Sequence, residues 1–219
     1  DALKLLFKEI IFPTKSDKFL FILAPVLVII PSLVAWAAVP FTEFFVFIKL
    51  KTALLFVFTM SSLSVYGIII AGWASTSKYA LFSSVRALAQ TISYEIIMSF
   101  VLVGVVFFSK SLRLTEIVSC QHGGFIHWYF IPMFPLFIIF WISSIAETNR
   151  APFDVVEGES EIVAGFHVDY SGMGFAVFFL AEYANMILAS FMCVLLFFGG
   201  WLSPFDTLAI DKYFTYIPP

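Results

Sequence analysis

The sequence predicts an all-α membrane protein, a polytopic bundle of about five transmembrane helices with an interfacial helix at its N-terminus. Hydrophobic residues make up 61% of the 219 residues and charged residues only 12%. The mean hydropathy is +1.00, which is far above the range of soluble domains. In addition, the apolar stretches reach the roughly 20 residues that a helix needs to cross the hydrocarbon of a bilayer.

Five apolar stretches are predicted to span the membrane, at 19–41, 53–73, 87–109, 126–146 and 173–200. Pro25 and Pro31 lie inside the first stretch, so we expect a kinked helix whose freed backbone groups are satisfied by neighbouring helices. The last stretch is longer than hydrocarbon requires and must tilt or project from it. A tail at 201–219 follows the last predicted span.

The segment 1–18 precedes these spans and is weakly amphipathic. One helical face carries Leu3, Leu6, Phe7 and Ile10, and the lysines Lys4 and Lys8 lie elsewhere. This pattern is typical of a helix that lies along the membrane interface. A helix end that packs on another subunit would produce the same pattern.

Two carboxylates lie within predicted spans, and a third lies at the end of one. They are Glu95, Glu182 and Glu147. A carboxylate at membrane depth costs about 2.5–3.5 kcal/mol on insertion scales, and such residues often mark proton or ion routes. A structural hydrogen bond between helices, made by a permanently protonated acid, is the alternative. Three acids on three helices favour proton transfer.

The loop 147–172 concentrates charge that the rest of the chain lacks. Its first fifteen residues, ETNRAPFDVVEGESE, contain five carboxylates and Arg150. Four of the acids fall within eight residues, namely Asp154, Glu157, Glu159 and Glu161. Like charges at this spacing raise each other's proton affinity. The loop therefore predicts proton handling at a membrane surface, with an ordinary solvated loop as the alternative.

Other chemistry has little support in the sequence. Cys120 and Cys193 are isolated and do not indicate a metal or iron–sulfur site. No basic stripe with interleaved aromatic residues indicates nucleic-acid binding, and motifs of soluble enzymes are missing. His167 has a side chain that titrates near neutral pH in water, but a structural role is favoured. The serines at 61, 62 and 64 indicate close helix packing.

Three strings carry a resemblance to a known family: DALKLLFKE at 1–9, the stretch 64–96 that ends in QTISYEI, and 146–187 with AETNRAPFD and EGESE. The chain resembles the quinone-site membrane subunit of respiratory complex I, the NADH dehydrogenase subunit 1 family. The likeness covers nearly the whole chain and weakens at 42–52, at 110–130 and in the tail. Such a long, unusual acidic stretch makes chance agreement very improbable.

The resemblance implies roles for particular residues. The loop 147–172 would line the tunnel by which the quinone tail enters from the bilayer, and the segment 1–10 would flank its mouth. The implied tunnel residues are Lys4, Phe7, Arg150, Phe153 and Asp154. The implied proton-transfer residues are Glu95, Glu147, Glu182, Asp154, Glu157, Glu159 and Glu161, with Arg150 as their charge partner.

The resemblance also implies the surroundings of the chain. Ubiquinone would be the substrate, and NADH, FMN and the iron–sulfur clusters would belong to other subunits, so no cofactor is expected here. Partners would be hydrophilic quinone-site subunits, antiporter-like subunits and small membrane subunits. The expected location is the mitochondrial inner membrane, with the bacterial plasma membrane as the alternative. Relatives have about eight spans, so another chain is expected to supply the missing helices unless the sequence is partial.

Three competing functions remain open at this level. A homologous membrane subunit of an energy-converting hydrogenase or ferredoxin-linked complex would carry similar acids. A secondary transporter would show inverted repeats with paired broken helices, yet the helix with two prolines has no counterpart in the second half. A pure scaffold would only anchor a peripheral arm, so neutralising its membrane acids would affect stability but not coupling.

Overall fold

The protein is a bundle of α-helices in the computed structural model, which describes residues 4–5, 7–13, 16–154 and 165–204. The α-helices in those ranges are α1 (Lys18–Ala35), α2 (Ala53–Ala74), α3 (Lys78–Ser109), α4 (Leu114–Ser119), α5 (Phe134–Glu147) and α6 (Met173–Phe197). Short 3₁₀ turns lie at Trp36–Ala38, Phe125–His127 and Gly165–His167. The regular structure of the described residues is thus entirely helical, which confirms the predicted fold class.

Four helices are long and apolar enough to cross a membrane among the residues described: α1 with its 3₁₀ turn, α2, α3 and α6. Helices α1, α2 and α3 alternate in direction, the shorter α5 runs antiparallel to α3, and α6 runs in the same direction as α1 and α3. One end of the bundle, here called the charged end, is where α1, α3 and α6 begin and α2 and α5 end. The opposite end, here called the aromatic end, is where α1, α3 and α6 end and α2 and α5 begin.

Helix α3 begins at Lys78 rather than at the predicted residue 87 and contains 32 residues. At 1.5 Å per residue it is about 48 Å long, well beyond the ~30 Å of hydrocarbon. Its first turns interrupt the apolar sequence with Lys78, Ser83, Ser84 and Arg86, so hydropathy placed them in a loop. Ser77 caps the helix through its side chain. The helical hydrogen bonds therefore begin before the predicted apolar span does. Lys78 and Arg86 thereby lie on a helix that projects from the hydrocarbon.

The predicted span 126–146 contains a shorter helix. Helix α5 has only 14 residues, about 21 Å, and is therefore too short to cross the hydrocarbon alone. Pro132 and Pro135 explain the late start, because proline disfavours helix before it and is tolerated in the first helical turn. The residues before α5 form turns in which the N–H of Tyr129 is satisfied by the Gln121 side chain and that of Phe130 by the carbonyl oxygen of Phe197, as backbone outside a helix must be at membrane depth.

Two glycines of α2 let neighbouring helices approach. A Cβ atom at Gly67 would lie 2.9 Å from the carbonyl oxygen of Ala24 on α1. One at Gly72 would lie 2.9 Å from the carbonyl oxygen of Ala80 on α3. Small residues allow such close helix packing in membranes. The crossings fix α1 and α3 on either side of α2 near the charged end.

Helix α1 runs unbroken through both of its prolines, which are buried. Asp17 caps its start by accepting a hydrogen bond from the backbone N–H of Phe19 at 3.1 Å. The missing N–H groups of Pro25 and Pro31 thus do not end the helix, as expected where neighbours surround a proline in a membrane.

Candidate functional site

The ETN sequence at the end of α5 forms a hydrogen-bonded reversal of the chain. Asn149 adopts a left-handed conformation with φ of 50°, which asparagine tolerates better than most residues. Its N–H bonds the carbonyl oxygen of Ala146 at 3.3 Å, and the N–H of Arg150 bonds that of Ile145 at 3.2 Å. These two bonds make a Schellman motif. The turn therefore brings Arg150 back alongside the bundle instead of letting the chain continue.

Arg150 reaches α6 and forms an ion pair there. Its Nη2 lies 3.1 Å from Oε1 of Glu182, and the two side chains are 37% and 19% exposed. The guanidinium carbon also lies 4.9 Å from the centroid of the Tyr183 ring, a cation–π distance. Asp154 acts electrostatically on the same glutamate. The structure thus brings together three charges that the sequence analysis singled out, from α6 and the loop after α5.

A second pair of acids lies between α3 and α5. Glu95 of α3 and Glu147 at the end of α5 interact electrostatically. The Ser62 hydroxyl donates to Glu95, and the Ser61 hydroxyl lies within hydrogen-bonding reach of Glu147. Two adjacent serines on α2 therefore serve two different carboxylates. Hydroxyls can donate to an acid or accept from it, so this contact suits groups that change protonation.

Sequence reasoning missed Ser61 and Ser62, which it assigned to helix packing alone. Both hydroxyls also lie 2.9 Å from the carbonyl oxygen of Phe58 in their own helix, the usual arrangement for serine in an apolar helix. The sequence feature that could have indicated these contacts is a pair of adjacent serines on a helix that packs against helices with acids. The pattern alone gives no direction for either side chain.

A small cavity lies among these groups, with a volume of about 100 Å³. Both Glu147 and Glu182 line it, as do Asn149, His167 and Asn185. The Oδ1 atoms of both asparagines are buried and accept no hydrogen bond from the described residues. A cavity of this size holds several water molecules, and polar walls are what make water favourable there. The cavity therefore connects the two acids by a space that water can occupy.

His167 is 8% exposed and packs against the rings of Phe166, Phe175 and Phe179 at 5.1–5.8 Å. Burial lowers the pKa of its imidazole to about 4, because an apolar surrounding disfavours the charged form. The histidine is consequently neutral at physiological pH. The structural role that the sequence analysis favoured for this residue fits this packing.

Phe153 and the N-terminal segment also lie at the charged end. The Phe153 ring meets the Tyr94 ring edge-on, with 5.7 Å between centroids. Residues 9–11 lie beside the start of α6, where the Ser171 hydroxyl donates to the carbonyl oxygen of Glu9 at 3.2 Å. It also accepts from the N–H of Ile11 at 3.1 Å. Lys4 and Phe7 are exposed, and Lys4 and Leu5 are helical whereas residues 7–13 are not.

Some sequence-based assignments lie outside the described residues. Glu157, Glu159 and Glu161 belong to this group, as do most of the tail at 201–219 and residues 1–3 of the N-terminal segment. Within the described ranges, no group of three or more histidine, cysteine, aspartate or glutamate residues is arranged to hold a metal ion. The site is therefore described by four acids, one arginine and the neutral polar groups around them.

The family model described as NADH dehydrogenase matches residues 1–217. The match includes all of the helices and all of the acids described above.

Proposed function

The chain belongs to the NADH dehydrogenase family, and from this premise we propose that it is a membrane-arm subunit of respiratory complex I that couples quinone reduction to proton translocation. Its helices are those of a multi-pass membrane protein. Ubiquinone is the proposed substrate. NADH, FMN and the iron–sulfur clusters are proposed to reside on other subunits of the assembly, with the mitochondrial inner membrane as the location.

One observation supports this proposal above the others. Glu182, the ion-pair partner of Arg150, and Glu147, which interacts with Glu95, line a single cavity. Charges at membrane depth are expensive and are retained where they carry a function. A scaffold could hold its helices together with apolar contacts and would not need four acids and an arginine in one place.

The proposed mechanism uses the electrostatic interactions among these residues. Quinone reduction changes the charge beside the loop 147–161, which alters the hold of Arg150 on Glu182. A glutamate whose arginine partner moves away gains proton affinity. Glu147 and Glu95 repel each other when both are ionised, so they titrate as a pair, and a change at one is passed to the other. Protons would move along the waters of the cavity.

The N-terminal segment and the loop after α5 are proposed to form the quinone entrance. Lys4 and Phe7 are exposed, and the segment that follows them is hydrogen-bonded to Ser171 at the start of α6. Phe153 and Asp154 lie on the neighbouring loop. An apolar tail would be accommodated by the phenylalanine side chains, and the charged residues would face the polar headgroup side.

Neutral isosteres of the membrane acids test the proposal. Glu95→Gln or Glu182→Gln, made at the matching positions of a relative that can be manipulated genetically, removes the titrating proton and keeps the shape. We expect quinone-linked NADH oxidation to fall by about a hundredfold, the lower end of what a positioned proton-transfer group contributes. The ferricyanide reaction of the hydrophilic arm should be unchanged.

Glu116→Gln is the matched control, because Glu116 is half-exposed at the aromatic end and pairs with Arg113 at 2.8 Å. It should leave both reactions as they are. Full quinone turnover in both membrane variants would exclude the proposed role. A loss of assembled complex with normal specific turnover would point to a scaffold instead.

A further inference from the structure

Gln90 connects α3 to the loop after α5 by two hydrogen bonds from one amide group. Its Nε2 donates to the carbonyl oxygen of Ala146 at 2.8 Å and to that of Phe153 at 2.9 Å. Both N–H bonds of the amide are thereby used. The two carbonyls lie on either side of Arg150, so one side chain closes the loop around the arginine.

The same face of α3 holds the loop a second time. Tyr94 lies one turn after Gln90, and residues four apart on a helix share a face. Its ring meets the Phe153 ring edge-on at 5.7 Å between centroids. The N–H of Phe153 in turn bonds the carbonyl oxygen of Arg150 at 2.7 Å. The loop is therefore held at both ends by α3 and braced across its middle.

We propose that Gln90 is a positioning residue that holds the 147–154 loop on α3 and thereby sets the reach of Arg150 to Glu182. The Schellman turn starts the reversal of the chain at Asn149, but it leaves the residues after Arg150 unanchored. The bond from Gln90 to Phe153 supplies that anchor. The Gln90 amide bonds backbone carbonyls and has no charge of its own, so we infer that it acts through the geometry of the loop.

This position also links the two acid pairs. Glu95 lies on α3 only five residues after Gln90, and Glu147 lies one residue after Ala146, whose carbonyl Gln90 bonds. A shift of α3 relative to α5 would therefore alter the Glu95–Glu147 and Arg150–Glu182 distances together. The functional consequence rests on the proposed function, whereas the positioning role does not.

Hydrogen–deuterium exchange on the assembled complex tests the positioning role directly. Gln90→Met keeps the length of the side chain and removes both donors. We expect backbone amides of 147–154 to exchange about threefold to tenfold faster, the effect of losing one or two hydrogen bonds. Ser93→Ala is the matched control, because the Ser93 hydroxyl bonds the carbonyl of Ala89 in the same helix, at 2.6 Å. Unchanged exchange in Gln90→Met overturns the inference.

Turnover measurements on the same complexes test the consequence. Gln90→Met should lower quinone-linked turnover by about threefold to tenfold with the ferricyanide reaction intact. In an Arg150→Ala background it should cause no further loss, because two changes that act through one contact are not additive. A full additional loss in that background would show that Gln90 does not act through Arg150.

A conservative variant keeps the test decisive if Gln90→Met does not assemble. Gln90→Asn retains the amide but is shorter by one methylene, so it cannot reach both carbonyls. It should show intermediate exchange and turnover, and wild-type values for both would overturn the inference. If Arg150→Ala leaves quinone turnover intact while Gln90→Met speeds exchange, the proposed function fails and the positioning role stands.

Discussion

The charged end and the aromatic end of the bundle each contain an arginine–glutamate pair, yet the two pairs differ in what they connect. Arg113 and Glu116 at the aromatic end are three residues apart, with side chains 44% and 46% exposed. Arg150 and Glu182 come from different elements, and Glu182 is only 19% exposed. Local exposed pairs contribute little. The long-range pair instead fixes the relation of a loop to a helix.

Each end also contains a glutamine that joins several elements. At the aromatic end, Gln121 is fully buried. Its Nε2 donates to the carbonyl of Leu195 at 3.1 Å, and its Oε1 accepts from the N–H groups of Tyr129 and Gly199 at 3.3 and 3.1 Å. The same Nε2 also donates to the carbonyl oxygen of Ile117 in α4 at 3.3 Å, so backbone from α4, from the turns before α5 and from the end of α6 uses its donors and its acceptor. Gln90 at the charged end is only partly buried and holds a loop beside ionisable groups.

Around Gln121 the aromatic end is a close cluster of rings. Centroid distances of 4.8–5.5 Å connect Phe130, Phe137, Phe197 and Phe198. Such pairs stabilise by about 0.5–1.5 kcal/mol each beyond burial. The comparison indicates that one end is built for rigidity, whereas the other contains charges whose balance can change.

The comparison is tested most strongly by removing each arginine in turn. Arg150→Ala leaves Glu182 partly buried without its ion-pair partner. Loss of one member of a fully buried pair costs about 3–5 kcal/mol, and the 37% exposure of Arg150 lowers that cost here. We expect quinone-linked turnover to fall by tenfold or more. Arg113→Ala exposes an already hydrated glutamate and should change turnover by less than about twofold. Equal effects of the two substitutions would remove the distinction between the ends.

The second prediction concerns the rigidity of the aromatic end. Gln121→Leu leaves the N–H groups of Tyr129 and Gly199 and the carbonyl of Leu195 without their bonds. Because each buried unsatisfied group costs about 1–3 kcal/mol, we expect the assembled complex to lose several degrees of thermal stability. Turnover per assembled complex should be unchanged. A specific loss of coupling in this variant would assign function to the aromatic end as well.

Sequence reasoning located the helices well but placed the starts of α3 and α5 poorly. The predicted spans 53–73 and 173–200 agree closely with α2 and α6, because apolar runs with clear ends define them. Hydropathy indicates whether residues prefer lipid or water, and it does not indicate where helical hydrogen bonds begin. It therefore missed the first turns of α3. In α5 it gave weight to apolar residues that proline keeps outside the helix.

The residues of the candidate site also fall into two groups, those that the sequence located and those that it missed. Charged residues such as Glu95, Arg150 and Glu182 stand out in an apolar chain, so the sequence located them, although their roles stay predictions. Gln90 and Ser61 did not stand out, because a neutral polar side chain in an apolar helix has the same pattern whether it bonds its own helix or another element. Their partners are distant in sequence, and only the fold specifies them.

A smaller effect is expected at the helix crossing near the charged end. Gly67→Ala places a Cβ atom 2.9 Å from the carbonyl oxygen of Ala24, and overpacking of this kind costs about 1–3 kcal/mol. The thermal stability of the assembled complex should fall, and α1 should move away from α2. Gly104→Ala is the matched control, because its Cβ would lie 3.0 Å from Cδ1 of Leu136 and 3.3 Å from Cε of Met133, and the far ends of these flexible side chains can move aside. Equal losses of thermal stability in the two variants would show that the carbonyl oxygen of Ala24 does not limit how closely α1 and α2 approach.

The smallest expected effect is a pH dependence of stability that comes from His167 and not from the acids at the charged end. The pKa of His167 is lowered by burial to about 4 from an ordinary 6.5, so the unfolded chain binds a proton between these values that the folded chain does not. Stability contributed by this residue is therefore complete above pH 6.5 and falls as the pH drops toward 4. At pH 5.5, one unit below 6.5, the loss is about 1.4 kcal/mol. His167→Leu should remove this part of the decline between pH 7.5 and 5.5 in thermal unfolding of the assembled complex, and an unchanged slope would mean that the imidazole is hydrated. His127→Leu is the matched control, because His127 is exposed at the aromatic end and should leave the slope as it is.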